Sequence, residues 1–452
     1  MDLEKKAKID SISKSFCAAK WTQVTIHLGN GYNHSCHHPG LHKISIEEIK
    51  NNPSALHNTR YKLERRREMM EGIRPKECDY CWRVEDSNEK NVSDRYLKSF
   101  ESWSFPYIDD IIADPLNEKF NPKYVEVSFS NQCNFKCSYC APYVSSKWQE
   151  EIKKYGPYPT SKKFNSINHL TEEIIPNNSY NPYIDVWWKW FPDLVKNLLY
   201  LRVTGGEPFL NKNTIILLEK IIENPQKELT LSLNSNFCVP EKNINRILEL
   251  LKYINDNKLV KNIELYTSCE AYGEKAEYIR WGLNYETWKN TVRFFNENLR
   301  NIKIIIMSTF NLLSISSYVD FLRDVLILKK SFKEESHLLI DTPYLRYPTH
   351  QTAWLYDRDL AEKYIDDIDD YFSENLADFS EKKFFAYEYT KFKRVVNLIK
   401  SEWNRENYDQ MYLEDKKDFI RFVDEHDRRR GSNFLKTFPE METFYNRYKE
   451  KL

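Results

Sequence analysis

Between about residue 122 and residue 350 the chain repeats one pattern: a short β-rich run, a loop, then a helical stretch. Tyr124–Phe129 alternates and is rich in β-formers. Leu199–Val203, Leu229–Leu233, Ile263–Thr267 and Leu338–Asp341 follow as further strands, and the strongly apolar, β-branched Ile302–Met307 reads as a buried one. Helical periodicity covers Thr214–Glu223, Glu241–Asn255, Tyr285–Asn298 and Ser316–Leu328. Strands that alternate with helices run parallel, because a parallel pair needs a crossover long enough to hold a helix. The expected fold class is α/β, and six such units make a partial barrel. Beyond residue 350 the chain reads as helical, charged and aromatic.

Composition narrows the function classes. The 452 residues, 41% of them hydrophobic, support a real core and two or three domains. Lys+Arg and Asp+Glu both total 67, which argues against a strongly basic nucleic-acid binder. No apolar run reaches the roughly eighteen residues of a membrane span. The opening MDLEKKAKID lacks the apolar stretch of a signal peptide, so the chain is expected to be soluble and cytoplasmic. Of nine cysteines, seven (17, 36, 78, 81, 133, 137 and 140) lie in the first third. An odd count in a large intracellular chain speaks against a disulfide framework and for metal or iron–sulfur ligation.

Cys133, Cys137 and Cys140 stand in the spacing C-x3-C-x2-C, in a loop just after the first strand. Three thiolates can hold three corners of a 4Fe–4S cluster and leave the fourth iron open. Gly205-Gly206-Glu207-Pro208 ends the second strand. On these two motifs the chain resembles the radical S-adenosylmethionine (SAM) superfamily. The resemblance implies a partial (β/α)6 barrel over residues 120–350, a 4Fe–4S cluster on the three cysteines, and SAM on the open iron. It also implies SAM contacts. Tyr139, before the third cysteine, would lie near the adenine. Gly205, Gly206, Glu207 and Pro208 would receive the amino group, and Ser235 and Asn236 would reach the ribose. Arg280 would pair with the carboxylate. Ser268, Cys269 and Glu270 end the fourth strand, with Cys269 a candidate hydrogen-atom donor or a buried thiol.

The N-terminal cysteines read C-x13-G-x4-C from Cys17 through Gly31 to Cys36, then Cys78-x2-Cys81. This resembles the auxiliary-cluster domains called SPASM and, in shorter form, twitch. The resemblance implies a twitch-like domain over residues 1–115 holding a second 4Fe–4S cluster, ahead of the barrel, with residues 351–452 as a helical extension. A zinc site with four cysteine ligands is the alternative, and a ligand from His38 or His42 stays open.

The function implied is reductive cleavage of SAM to a 5′-deoxyadenosyl radical that takes a hydrogen atom from substrate. A flavodoxin- or ferredoxin-type protein would supply the electron. Oxidation or cross-linking of a peptide or protein side chain is the first expectation. Modification of a nucleotide, sugar or other small molecule is the second, and a non-catalytic Fe–S or zinc protein the third. Arg65–Arg67 and Arg428–Arg430 read as solvated helix faces. Trp187, Trp188 and Trp190, in the long and lid-like connection 141–198, read as packing or as rings to stack on a flat substrate. Arg346, Tyr347 and His350 follow the last strand as candidate substrate groups.

Overall fold

The structure, a computed structural model, describes residues 2–88, 91–167, 174–176, 178–333, 336–376 and 383–452. Part of the 141–198 connection therefore lies outside the described residues. The strands run in chain order β1 (Gln23–His27), β2 (Tyr32–His34), β3 (His42–Lys43), β4 (Tyr124–Ser128), β5 (Lys136–Cys137), β6 (Tyr200–Thr204), β7 (Gln226–Ser235), β8 (Val260–Ser268), β9 (Arg280–Trp281), β10 (Lys303–Met307) and β11 (His337–Asp341). All six strands expected from the alternation are present, at nearly the expected bounds. The chain divides into two compact units.

Unit 1 comprises Met1–Asn131, Leu170–Leu233 and Asn257–Asn262. Its strands lie in the order β3-β2-β1-β4-β6-β7. β4, β6 and β7 are parallel, with Val125 opposite Leu201 and Leu201 opposite Leu231. β1 pairs parallel to β4, setting Thr25 opposite Glu126. β2 and β3 continue the array antiparallel. These three N-terminal strands were not among those expected from the sequence. Val125, Val127, Leu201, Val203, Leu231 and Leu233 are fully buried on one face, each such side chain contributing roughly 1.5–3 kcal/mol. Helix Lys212–Glu223 carries the chain from β6 to β7.

Unit 2 comprises Gln132–His169, Asn234–Asp256 and Ile263–Leu452. β8, β10 and β11 are parallel, with Leu265 opposite Ile304 and Ile304 opposite Leu338. The crossovers are helices Tyr285–Asn298 and Tyr318–Ser331. Helix Glu241–Asp256 buries Ile244, Ile247, Leu248, Leu251 and Ile254, the spacing of one helical face. Helices Arg358–Glu374, Ala386–Trp403 and Tyr408–Arg430 form the helical C-terminal stretch. Among the described residues no helix is long and apolar enough to cross a membrane.

The two basic runs expected as solvated faces are solvated only in part: Arg67 and Arg428 are exposed, but others turn inward. Arg66 is buried, its guanidinium donating to Asn58 Oδ1 at 2.9 Å and meeting His57 Nε2 at 2.8 Å. Arg429 and Arg430 are buried too, beside Glu151. Charge runs of this length are solvated only when no acceptor waits inside.

Candidate active site

The loop 133–140 sits in unit 2 and is fastened along its length. Cys133 N donates to Ser146 Oγ at 3.1 Å, and Cys140 N donates to Cys137 O at 2.9 Å. Trp148 Nε1 donates to Cys137 O at 2.8 Å, and Ser145 Oγ donates to Phe135 O at 2.8 Å. β5 pairs with β9, which sets Cys137 opposite Arg280. Cys137 is buried, Cys133 and Cys140 are partly buried, and all three are free thiols. Burial, then the neighbouring Cys137 sulfur, pushes the Cys140 thiol up to about 12. Bound iron supplies the charge that makes such thiols thiolates. The donor set fits three corners of a 4Fe–4S cluster.

Arg280 joins this loop to its surroundings. Its NH1 donates to Cys137 Sγ at 3.7 Å, and its Nε and NH2 reach Glu270 Oε2 at 2.8 and 2.7 Å. NH2 also bonds the Tyr139 hydroxyl, which donates to Glu270 Oε1 at 3.0 Å. The residue expected to meet the SAM carboxylate therefore already has a carboxylate partner. Burial pushes the Glu270 carboxyl above its usual range, while Arg280 pulls it down. Asn236 is drawn to the same loop: its Nδ2 donates to Asn134 Oδ1 at 2.8 Å. Ser235 Oγ accepts from Phe237 N at 3.0 Å. Cys269 is fully buried with its thiol toward Ala271 O at 3.4 Å. His350 is buried and pushed down to about 4 by its burial.

Gly205–Pro208 belongs to unit 1. Gly205 has φ +119°, and a Cβ there would lie 2.5 Å from Ser128 Oγ and 2.9 Å from Ser130 O. Only glycine allows β6 to turn so close to the end of β4. Gly206 N donates to Ser130 O at 3.2 Å. Glu207 is buried, and its Oε1 accepts from Phe209 N at 3.0 Å, capping the turn Pro208–Leu210.

Unit 1 also gathers the four N-terminal cysteines. Cys17, Cys36, Cys78 and Cys81 line one cavity of about 420 Å³, its open mouth included, together with Lys20 and His38. Among the described residues no three His, Cys, Asp or Glu side chains, here or in the 133–140 loop, are gathered as ligands of a single ion. Zinc holds its thiolates ~2.3 Å from one centre, whereas each corner of a cubane takes its own thiolate. Burial pushes the Cys36 and Cys81 thiols up to about 12. His38, on the cavity wall, meets Asp94 Oδ2 through Nε2 at 2.7 Å and stacks its ring on Tyr80, while its buried Nδ1 has no hydrogen-bond partner among the described residues. His42 Nε2 meets Thr59 Oγ1 at 3.1 Å.

One group escaped the sequence. On the polar face of β4 and β6, Glu126 stands opposite Arg202 and accepts from Thr204 Oγ1 at 3.2 Å. His27 and His34 approach with their Nε2 atoms 3.4 Å apart. Burial would raise the Glu126 carboxyl, but Arg202, His37, His34 and His27 hold it below its usual range. Strand alternation puts Glu126 and Arg202 on polar faces; only the strand register brings them together.

The radical SAM superfamily model matches residues 127–325. Residues 127–325 therefore carry a radical SAM domain, and the α/β fold with its parallel strands is the one expected there. The family implies an enzyme with a 4Fe–4S cluster and SAM as cofactors. Among relatives, GTP 3′,8-cyclase of Pasteurella multocida (strain Pm70) is 27% identical over 124 residues, which is 27% of this chain and 29% of that one. GTP 3′,8-cyclase of Helicobacter pylori (strain ATCC 700392 / 26695) is 25% identical over 125 residues, 27% of this chain and 30% of that one. The chain thus spans only about three-tenths of the length of these relatives. The crystal structure of Streptococcus suis SuiB bound to S-adenosylmethionine overlays with a TM-score of 0.37 at 11% identity, over 79% of this chain and 71% of that one.

Proposed function

We propose that this enzyme carries two clusters: a SAM-binding 4Fe–4S cluster on Cys133, Cys137 and Cys140, and an auxiliary 4Fe–4S cluster on Cys17, Cys36, Cys78 and Cys81. The observation that carries the reading is the lining of one unit 1 cavity by all four N-terminal thiols, apart in sequence from the loop that holds the other three. Tyr139, Ser235, Asn236 and Arg280 are the SAM contacts proposed in unit 2, Gly205, Gly206, Glu207 and Pro208 are those proposed in unit 1, and residues 1–115, 120–350 and 351–452 are the proposed divisions of labour. When bound, cluster and SAM supply a 5′-deoxyadenosyl radical by one-electron cleavage of a carbon–sulfur bond.

The chain's own residues prepare that event. Arg280 places a charged donor against Cys137 Sγ, which stabilises thiolate there. Glu270 and Arg280 together fix the Tyr139 hydroxyl, and hence the ring. Trp148 and Ser145 tie down the loop carbonyls, and burial of Cys137 keeps water from the cluster.

The proposed substrate is a peptide or protein side chain, oxidised or cross-linked, with a flavodoxin- or ferredoxin-type donor supplying electrons. A nucleotide is the second reading, favoured by the names of the cyclase relatives. Anaerobic reconstitution, reduction and addition of SAM should yield 5′-deoxyadenosine and roughly eight irons per chain. No 5′-deoxyadenosine from an intact cluster would sink the enzyme reading. About four irons with zinc would replace the auxiliary cluster by a zinc site. SAM-dependent consumption of GTP would select the nucleotide reading. Alanine at Cys133, Cys137 and Cys140 should abolish cleavage and remove one cluster only.

A further inference from the structure

The geometry points to a task for Lys20: we propose that its ammonium, on the wall of the cavity lined by the four thiols, raises the reduction potential of the auxiliary cluster, with Glu77 as the opposing charge. This rests on the two-cluster reading above.

Lys20 lines the same cavity as the four thiols. Its side chain is 2% exposed and that of its ion-pair partner Glu77 is 8% exposed. The backbone holds it in place. Lys20 lies in the single helical turn Ala19–Thr22, its N donates to Cys17 O at 3.0 Å, and its carbonyl accepts from Arg66 Nε at 3.3 Å. Its ammonium is paired with Glu77 Oε1. Two other cations line the wall: Arg95, which forks onto Glu85 at 2.9 and 3.0 Å, and Lys98, which is half-buried.

A buried ion pair is poor at stabilising a fold, because desolvating both charges offsets their attraction. Its placement among thiols has a better account in electrostatics. A cluster on four thiolates is anionic, and reduction adds a further negative charge in a weakly polar cavity. A fixed cation favours the reduced form, and net charge around the cluster is among the determinants of such potentials. Lys20 and Glu77 then form a pair of opposite levers on one equilibrium.

The test uses the full chain with Cys133, Cys137 and Cys140 changed to Ala, so that the auxiliary cluster alone is read by potentiometric EPR. Lys20→Met should keep about four irons and shift the reduced-to-oxidised ratio tenfold toward oxidised, ~59 mV more negative for a one-electron couple. Lys20→Arg should stay near the parent, and Glu77→Gln should move the potential the opposite way. Lys20→Met with full iron and an unmoved potential overturns the proposal, as does Glu77→Gln moving in the same direction. If Lys20→Met loses its iron, the other two variants decide: the proposal stands if Lys20→Arg matches the parent and Glu77→Gln raises the potential, and falls otherwise. Absence of a cluster in the parent refutes the two-cluster reading itself, before any Lys20 variant is made.

Discussion

Arg280 is the residue on which the SAM-side site turns. Its buried guanidinium meets Glu270, the Tyr139 hydroxyl and Cys137 Sγ. Arg280→Ala leaves Glu270 as a buried unpaired carboxylate, and loss of one partner from such a pair costs about 3–5 kcal/mol. Urea unfolding should show that loss, and Arg280→Lys should recover only part of it, because an ammonium cannot fork onto a carboxylate. A variant as stable as the parent would mean that Arg280 is not the keystone of this loop. Much of the site was legible from residue types: three cysteines at fixed spacing, an aromatic before the third, glycines at the next strand end. The partnership of Arg280 with Glu270 was not legible. It depends on where the chain turns after β8, and a guanidinium looks the same in sequence whether its acceptor is a ligand or a neighbour.

Periodicity carried the regular elements well, and failed where polar faces are buried. Helix Arg60–Met70 starts at Thr59, whose side chain accepts from Lys62 N. β1 does alternate polar and apolar from Gln23 to His27, the mark of a half-buried strand, yet Gln23 and Thr25 are buried alongside Val24 and Ile26. Helix Pro182–Leu194 shows the reverse case. Its aromatic run reads as packing: Trp187 and Trp190 are buried, and Trp188 stacks on Phe129 at 5.8 Å. Tyr183 of this helix occupies the space beside Gly31, where φ is +70° and a Cβ would fall 1.9 Å from the ring. Gly31→Ala should destabilise unit 1 by about 2 kcal/mol or more, from strain and overpacking. Tyr183→Ala in the same chain should return part of it by thermal denaturation; no rescue would place the cost in backbone strain alone. Helix Ser146–Tyr155 offers a second element-scale test. Glu151, 3% exposed, accepts from Lys136 of the cluster loop at 2.6 Å and faces Arg430. Glu151→Ala should cost about 3 kcal/mol or more in a urea titration.

At the scale of the whole chain, several histidines are folded away neutral. Burial holds His34 and His350 at about 4 and His42 at about 3. Their unfolded value is about 6.5, so below that pH the unfolded chain binds more protons than the folded one. Stability is therefore full above pH ~6.5 and is lost as pH falls toward ~4. The urea midpoint of the cluster-free chain should drop between pH 7 and pH 5; a midpoint that rises over this range would contradict the burial of these imidazoles.

The pairing of β1 with β4 has a bearing on biosynthesis. Cys17 and Cys36 flank the β1–β2 region, yet Thr25 finds its partner in Glu126, which is translated much later. A long-range parallel contact of this kind forms slowly and late. The first thiols to leave the ribosome thus wait, unsupported, until the strand before the cluster loop has been made. A nascent chain halted before Tyr124 should retain no iron after anaerobic reconstitution, whereas one extended through unit 1 should. Assembly of the N-terminal metal site would then report that the core of unit 1 has already closed, and iron delivered any earlier would meet only loose cysteines.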